Sequence, residues 1–550
     1  MAGQNRPAAI EGRNARPKEI LLVAGLLASI LTFFSLFSMF YLSQTIDDML
    51  DVTLMDEFPR LLSTGFVTNA WFYPVSVQIK DGFDLNFLPS LIGNVVNFFV
   101  ADWVLTQRIV AVLLVFGTAL SMYYFLRRVG TEPFGALVGA VAYGFSDQFI
   151  MRMPSHLSLL SGFVFPLLML ALYENRKYLA GLMLGLAYWS SPFFGIMALM
   201  LLALYLAREV WRSRGVSRAL LSKYVVAGLI FAVMAGPLIP FGMPAQWSST
   251  TNTLQSLLWR NQYAYFFPGN PVQLWEQTPS YLGLSTVVLA VVSILRRRSP
   301  LSVFMIVCGA VFAVISLLPP VAWPFTSLRE VTRFSTLTTF SLAFVAGQVF
   351  SSAPKLRVPT KALIAAIVLA VIIADNLVAA PAWYFTPQSA GYQWNDPGFA
   401  LIAKDHAGIA EVDLPILPST AGLVYYQYYG VLTGKDVVDG ETSGLTQVAA
   451  SDHFVEEQHF LSRFFIPYIP NVTNKWLLSY NTSAFATPTQ AADLTQLRQM
   501  GIDYLILHTK LYGDIQGSDA ARTYLDGLVS RGWLSLMYSD AEVVIYQIVV

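Results

Sequence analysis

Cysteine is almost missing: Cys308 stands alone among 550 residues, so no disulfide and no cysteine metal site can be built within the chain. It falls inside an apolar run and reads as a small core hydrophobe. Charge is scarce too, at 12% of residues, and acids and bases balance at 34 each. With no basic patch interleaved with aromatics, nothing points to nucleic acid as a partner. Also lacking are a GxxxxGK[ST] phosphate loop, an HExxH zinc pair and a GxSxG elbow, which argues against an ATP-driven pump or a classical hydrolase. The five histidines, His156, His406, His453, His459 and His508, are scattered. His453 and His459 bracket Glu456 and Glu457, but an i, i+6 spacing lies poorly on one helical face for a metal.

What the chain does have is apolar length. At 55% hydrophobic and a mean hydropathy of +0.54, it is a polytopic membrane protein rather than a soluble globule. The polar start MAGQNRPAAIEGRNARPKE carries Arg6, Arg13, Arg16 and Lys18 before the apolar run Ile20–Leu42. That run is too long for a signal-peptide core and lacks a small-residue cleavage site, so it reads as a retained anchor with a cytoplasmic N-terminus. Applying the positive-inside rule loop by loop gives further crossings at Thr106–Leu126, Phe134–Ile150, Leu157–Tyr173, Tyr178–Trp189, Phe193–Ala207, Tyr224–Phe241, Leu282–Leu295, Leu301–Leu318, Thr336–Phe350 and Leu363–Ala380. Every predicted inner turn is the basic one: Arg127-Arg128, Arg176-Lys177, Arg208 to Arg214, Arg296 to Arg298, and Lys355 to Lys361. The expectation is a polytopic α-helical domain over residues 1–380 with about eleven crossings.

A first outer loop, 43–105, opens with SQTIDDMLDVTLMDE, where Asp47, Asp48, Asp51, Asp56 and Glu57 follow the first apolar run. Carboxylates gathered at a membrane surface are costly and point to function. A semi-apolar piece, Leu85–Val100, predicts helices lying along the interface. A second outer loop, Gly242–Ser280, holds Trp247, Trp259, Tyr263, Tyr265, Phe266, Phe267 and Trp275, read as an aromatic belt or as stacking platforms for sugar or lipid. Beyond Pro381, strand-like GLVYYQYYG, DYLILH and EVVIYQIVV alternate with polar helical TQAADLTQLRQMG. That mixture describes a soluble α/β domain over 381–550, expected outside the membrane. Asn471-Val472-Thr473 and Asn481-Thr482-Ser483 are glycosylation triplets within it.

One basic-flanked helix, an acidic outer loop, many short-looped spans and an exterior domain together resemble the GT-C class of membrane glycosyltransferases. The strings SHLSLLSGFVFPLLMLALYE, LAGLMLGLAYWSSPFFGIMALML, YFFPGNPVQLWEQTPSYLGLSTVVLAVV, LREVTRFS and GIDYLILH are similar to bacterial and archaeal GT-C-like proteins over most of the chain. The resemblance implies transfer of a sugar from a polyprenyl-phosphate donor to a glycolipid, glycan or protein acceptor at the outer face. An acidic residue of the first outer loop would serve as general base or position the acceptor. The acidic site maps onto Asp47-Asp48 or Asp56-Glu57, with Asp56 favoured because it runs into FPRLL; the Asp-x-Asp form common in the class is absent. Neighbouring residues of a helix diverge by about 100°, so one of each pair faces a given side, whereas Asp48 and Asp56 can share a face.

A donor phosphate needs cations that stay charged near lipid. Arg329 and Arg333, at i, i+4 beyond a span, can present two guanidinium forks, or they snorkel or pair with Glu330. Arg152 and His156 form a second candidate pair, and Asp102 and Asp147 at helix ends are alternatives for the base or for orienting a cation. A divalent cation, Mg²⁺ or Mn²⁺, is neither required nor excluded by this pattern. Two other readings stand beside the enzyme: a non-catalytic membrane scaffold binding a partner through its outer domain, and a transporter, which the absence of mid-span charges and of an inverted repeat disfavours.

Overall fold

The computed structural model describes residues 19, 21, 23–29, 46–64, 67–68, 73–74, 77–78, 86–150, 152–153, 156–236, 257, 281–296, 299–318, 331–352, 357–376, 396–406, 408–417, 424–438, 449–466, 471–472, 475–476, 478–510 and 515–550. Its contacts separate into two units: Met1–Leu42 with Asn86–Ile239 and Ala245–Pro381, and Ser43–Leu85 with Pro240–Pro244 and Ala382–Val550. The acidic helix α1 (Ile46–Ser63) falls in the second unit. The expected first outer loop, 43–105, is therefore shared between the two.

The first unit is helical. It contains α2 (Phe87–Val100), α3 (Trp103–Arg128), α4 (Pro133–Gly144), the short α5 (Asp147–Ile150), α6 (Val164–Tyr173), α7 (Lys177–Ser190), α8 (Pro192–Ser213), α9 (Arg218–Ala235), α10 (Leu284–Arg296), α11 (Pro300–Leu317), α12 (Ser335–Gly347) and α13 (Val358–Asn376). Among the described residues, five segments are long and apolar enough to cross a membrane: Trp103–Arg128, Pro192–Ser213, Pro300–Leu317, Thr332–Ser351 and Val358–Asn376. Five shorter apolar helices accompany them, α2 among them. The leading run Ile20–Leu42 lies mostly outside the described residues.

Phe134–Ile150, expected as one crossing, is two helices, because α4 stops at Gly144 and α5 starts at Asp147. A straight continuation would carry Asp147 and Gln148 onward in line with an apolar helix, whereas the turn at Phe145-Ser146 leaves both side chains buried within the unit. Leu157–Tyr173 likewise begins as a 3-10 turn, Leu157–Leu159, and becomes α-helical only at Val164.

Helix α12 is the axis of this unit. It packs against α4, α10 and α11, and nearly all of its side chains are buried although five are hydroxyls, Ser335, Thr336, Thr338, Thr339 and Ser341. Short hydroxyls suit a close interface because they return hydrogen bonds to backbone carbonyls: Ser335 to Thr332 at 2.8 Å, Thr339 to Ser335 at 3.1 Å and Thr338 across to Gly309 at 3.2 Å. Opposite it, Gly135 and Gly139 of α4 leave no room for a side chain, since a Cβ on Gly135 would sit 2.2 Å from the Gly347 carbonyl oxygen. The basic turns are joined to one another at one end of the bundle. Arg127 Nε meets Glu19 at 2.6 Å, Arg128 Nε meets Glu174 at 2.7 Å, and Lys361 meets Glu132 at 2.7 Å.

In the second unit a five-stranded sheet runs in the order β4-β3-β7-β9-β8. Hairpin strands β1 (Val67–Thr68) and β2 (Val77–Gln78) precede it; β3 is Ala410–Leu414, β4 Asp436–Val437, β7 Ile502–His508, β8 Leu534–Ser539 and β9 Val543–Ile548, with the small pair β5 (Asn471–Val472) and β6 (Lys475–Trp476) outside it. Strand β3 is parallel to β4 and β7, and the remaining pairings are antiparallel. The helices are α14 (Pro397–Ala403), α15 (Val424–Thr433), α16 (Ala449–Glu457), α17 (Ala491–Gln499) and α18 (Ser518–Ser530). Helix α1 buries Val52, Leu54, Met55, Phe58 and Leu61 and packs on α15. Arg60 Nη1 reaches Asp436 Oδ1 at 2.9 Å and the Tyr73 amide donates to Val437 O at 2.9 Å, so the acidic stretch is tied to the β4 edge of the sheet.

Candidate functional site

The interruption of α4 and α5 and the turn between α7 and α8 meet the start of α12, and this junction gathers polar side chains inside an apolar bundle. Arg152, two residues beyond α5, is 2% exposed, and its Nη1 donates to Gln148 Oε1 at 3.4 Å. Gln148 is fully buried and its Oε1 also accepts from Thr336 Oγ1 of α12 at 3.3 Å. One turn before Thr336, on the 3-10 segment Val331–Phe334, Arg333 is buried with its guanidinium carbon 4.5 Å from the centre of the Phe193 ring. Phe193 opens α8, and the preceding Ser190 hydroxyl donates to Ser158 O at 3.0 Å. A guanidinium flat on an aromatic ring keeps its charge at low hydration, as anion recognition near lipid demands. His156 is half-buried beside this group and its amide donates to Arg152 O at 3.0 Å.

The structure thus links Arg152 and Arg333 through Gln148, Thr336 and a single helical turn. Arg329 and Glu330 lie outside the described residues, so the i, i+4 pair is seen at its Arg333 end. Gln148 carried no signal in the sequence beyond its place between Asp147 and Arg152 at the end of an apolar run.

The candidate carboxylates belong to α1 in the second unit. Asp47 and Asp48 are helical, with side chains outside the described set. Asp56 and Glu57 are half-buried, Glu57 lying 3.9 Å from Arg60. Asp51, between the two candidate pairs, is 3% exposed.

Other candidates receive structural roles. Asp102 caps α3, accepting the Leu105 amide at 2.9 Å from an exposed position, and is a helix N-cap. His453 pairs with Glu457 and His459 with Asp493, so the two do not share a site. Among the described residues no group of three His, Cys, Asp or Glu is placed to hold a metal ion. The aromatics Tyr265, Phe266, Phe267 and Trp275 lie outside the described residues.

A buried group that the sequence did not announce sits in the sheet. Glu411 and Asp413 are both enclosed on β3, and Asp413 Oδ1 lies 2.6 Å from Nε2 of the equally buried His508 on β7. Burial pushes both carboxyls well above their ordinary range, Asp413 adding to the effect on Glu411, and burial holds His508 down at about 3. The rings of Tyr426 and Tyr429 stack on the imidazole at 5.5 and 5.0 Å.

The fold defines the class: the chain is an integral membrane protein of GT-C-like architecture. A family model described as a domain of unknown function, DUF6311, matches residues 106–373, the stretch that contains the arginine junction. No curated protein matches the sequence. Among solved structures the chain is similar to the arabinofuranosyltransferase AftD from Mycobacteria, with a TM-score of 0.61 and 14% identity over 98% of this chain and 40% of that one. It therefore spans well under half of AftD, and the likeness is one of fold. Two more structures align at scores too low to establish a common fold. The Archaeoglobus fulgidus oligosaccharyltransferase gives 0.46 at 11% identity, covering 90% of this chain and 70% of its own. ArnT from Cupriavidus metallidurans, bound to undecaprenyl phosphate, gives 0.47 at 10% identity, covering 97% and 98%.

Proposed function

We propose that the protein is a membrane glycosyltransferase that moves a sugar from a polyprenyl-phosphate-linked donor to a glycolipid, glycan or protein acceptor at the extracytoplasmic face. In this reading the N-terminus is cytoplasmic and the C-terminal unit is outside. The observation that carries it is the pair of buried guanidinium groups, Arg152 and Arg333, at one helix junction of an apolar bundle. Fixed cations in that setting serve a phosphate that arrives through lipid. AftD, whose fold this chain shares, is an arabinofuranosyltransferase, which makes pentosyl transfer the first donor chemistry to try.

Arg152 and Arg333 hold the donor phosphate and offset the charge that grows on it as the bond from the anomeric carbon to the phosphate oxygen breaks. The acceptor hydroxyl forms the new bond to that carbon and gives its proton to a general base, for which Asp56, then Glu57, Asp48 and Asp47 are the candidates, while polyprenyl phosphate leaves. His156 supports the phosphate from beside Arg152. With the full-length protein in lipid nanodiscs and radiolabelled polyprenyl-phosphate pentose or hexose as donor, Arg152→Gln and Arg333→Gln are expected to lower transfer by about 100-fold or more, in the range typical for removing one charge-stabilising group. Asp56→Asn is expected to reduce turnover with little effect on donor KM. Full activity in both arginine variants would overturn the reading. A divalent cation belongs to it only if chelation abolishes transfer and Mg²⁺ or Mn²⁺ restores it.

A further inference from the structure

The geometry points to Gln148 as a residue that itself binds the donor, its amide nitrogen Nε2 giving a hydrogen bond to a phosphate oxygen of the polyprenyl phosphate. This rests on the functional reading above and adds a neutral ligand to the arginines. The two ends of a side-chain amide are distinguishable here by chemistry alone. Arg152 can only donate, so the Gln148 atom 3.4 Å from its Nη1 must be the carbonyl oxygen. That same oxygen takes the Thr336 hydroxyl at 3.3 Å. With Oε1 fixed between a guanidinium and a hydroxyl, Nε2 is turned away from both, and it is buried with no hydrogen-bond acceptor among the described residues.

A buried donor left without an acceptor keeps its full desolvation penalty. The neighbourhood repeats the pattern: Ser191 Oγ, in the turn before Phe193, and Ser146 and Ser161 Oγ are also enclosed without partners among the described residues. Ser191 begins α8 yet its hydroxyl makes no capping bond. An anion with several acceptor oxygens satisfies such a set, and an uncharged apolar lipid does not. Thr336 ties Gln148 to the helix whose preceding turn bears Arg333, so the amide is held in register with both guanidinium groups.

The test uses the full-length protein in nanodiscs with undecaprenyl phosphate as probe and undecaprenol, which lacks the phosphate, as control. Gln148→Glu keeps an acceptor toward Arg152 and Thr336 but replaces the amide NH2 with an oxygen that repels phosphate. It is expected to weaken undecaprenyl phosphate at least tenfold, to leave undecaprenol unchanged, and to raise donor KM without raising acceptor KM. Gln148→Leu, which buries no new charge, is expected to weaken the phosphate lipid several-fold, and it keeps the measurement available should the acidic variant not fold. If Gln148 acts only by positioning Arg152, Gln148→Leu has no further effect on undecaprenyl phosphate binding in an Arg152→Gln background, and the inference is overturned while the reading of the site survives. If the parent itself shows no preference for undecaprenyl phosphate over undecaprenol, both fall together.

Discussion

Glu411 and Asp413 stand two residues apart on β3, fully enclosed, in a position where the alternation of AEVDL would face acids to water. Strand β3 is an inner strand buried along its whole length, so the alternation that marks a half-buried strand misleads. The consequence is a pH dependence of stability. In the unfolded chain both carboxyls titrate near pH 4, and in the fold both are raised, so the stability they lend is complete below about pH 4 and is lost as pH rises through their folded values. His508 works in the opposite direction, lending stability above about 6.5 that is lost as pH falls toward its folded value of about 3. Glu411→Gln is therefore expected to stabilise the protein at pH 8 and to change little at pH 4, as read from urea denaturation at both pH values. At this scale the sequence showed charged candidates better than neutral ones. Arg152 and Arg333 stood out because cations are rare beside apolar runs, whereas Gln148 and Ser191 are singled out only by what surrounds them.

Among elements, helices were the most legible, because long apolar runs mark where they lie. The hairpin of α7 and α8 about Ser190-Ser191-Pro192 lies where its serines and proline put it, and α11 and α13 fall within a few residues of the expected runs. Breaks were less legible, since Phe134–Ile150 is continuously apolar up to Ser146 and the turn there depends on what α3 and α12 leave room for. Glycines are the missed signal. Gly135 and Gly139 are four residues apart and bring α4 against the backbone of α12. Gly135→Val forces a side chain into the Gly347 carbonyl and is expected to destabilise by about 1–3 kcal/mol or to prevent folding. Gly215→Ala, with nothing within 4 Å of the added carbon, should leave the thermal midpoint in detergent unchanged.

For the whole molecule, the composition change near Pro381 was visible, and the recruitment of residues 43–85 into the second unit was not. Nothing in the local pattern of α1 says that its apolar face will be covered by α15, because the covering residues are more than three hundred positions away. Ending the chain after Pro381 removes α15, which packs on α1, and β4, which holds the partner of Arg60. Amide hydrogen exchange across Ile46–Ser63 is expected to accelerate by several orders of magnitude in that truncated protein, toward the rate of an isolated helix in water. Protection equal to that of the full chain would show that α1 stands without the sheet.

The Arg60–Asp436 contact joins residues 376 positions apart. On a ribosome adding about 5–20 residues each second, the early helix waits some 20–75 s for its partner to be made. During that interval the face of α1 that α15 covers lacks that cover, so biogenesis has to shelter it, whether by a chaperone or by the lipid surface. The acidic stretch is thus synthesised long before it can reach its final place.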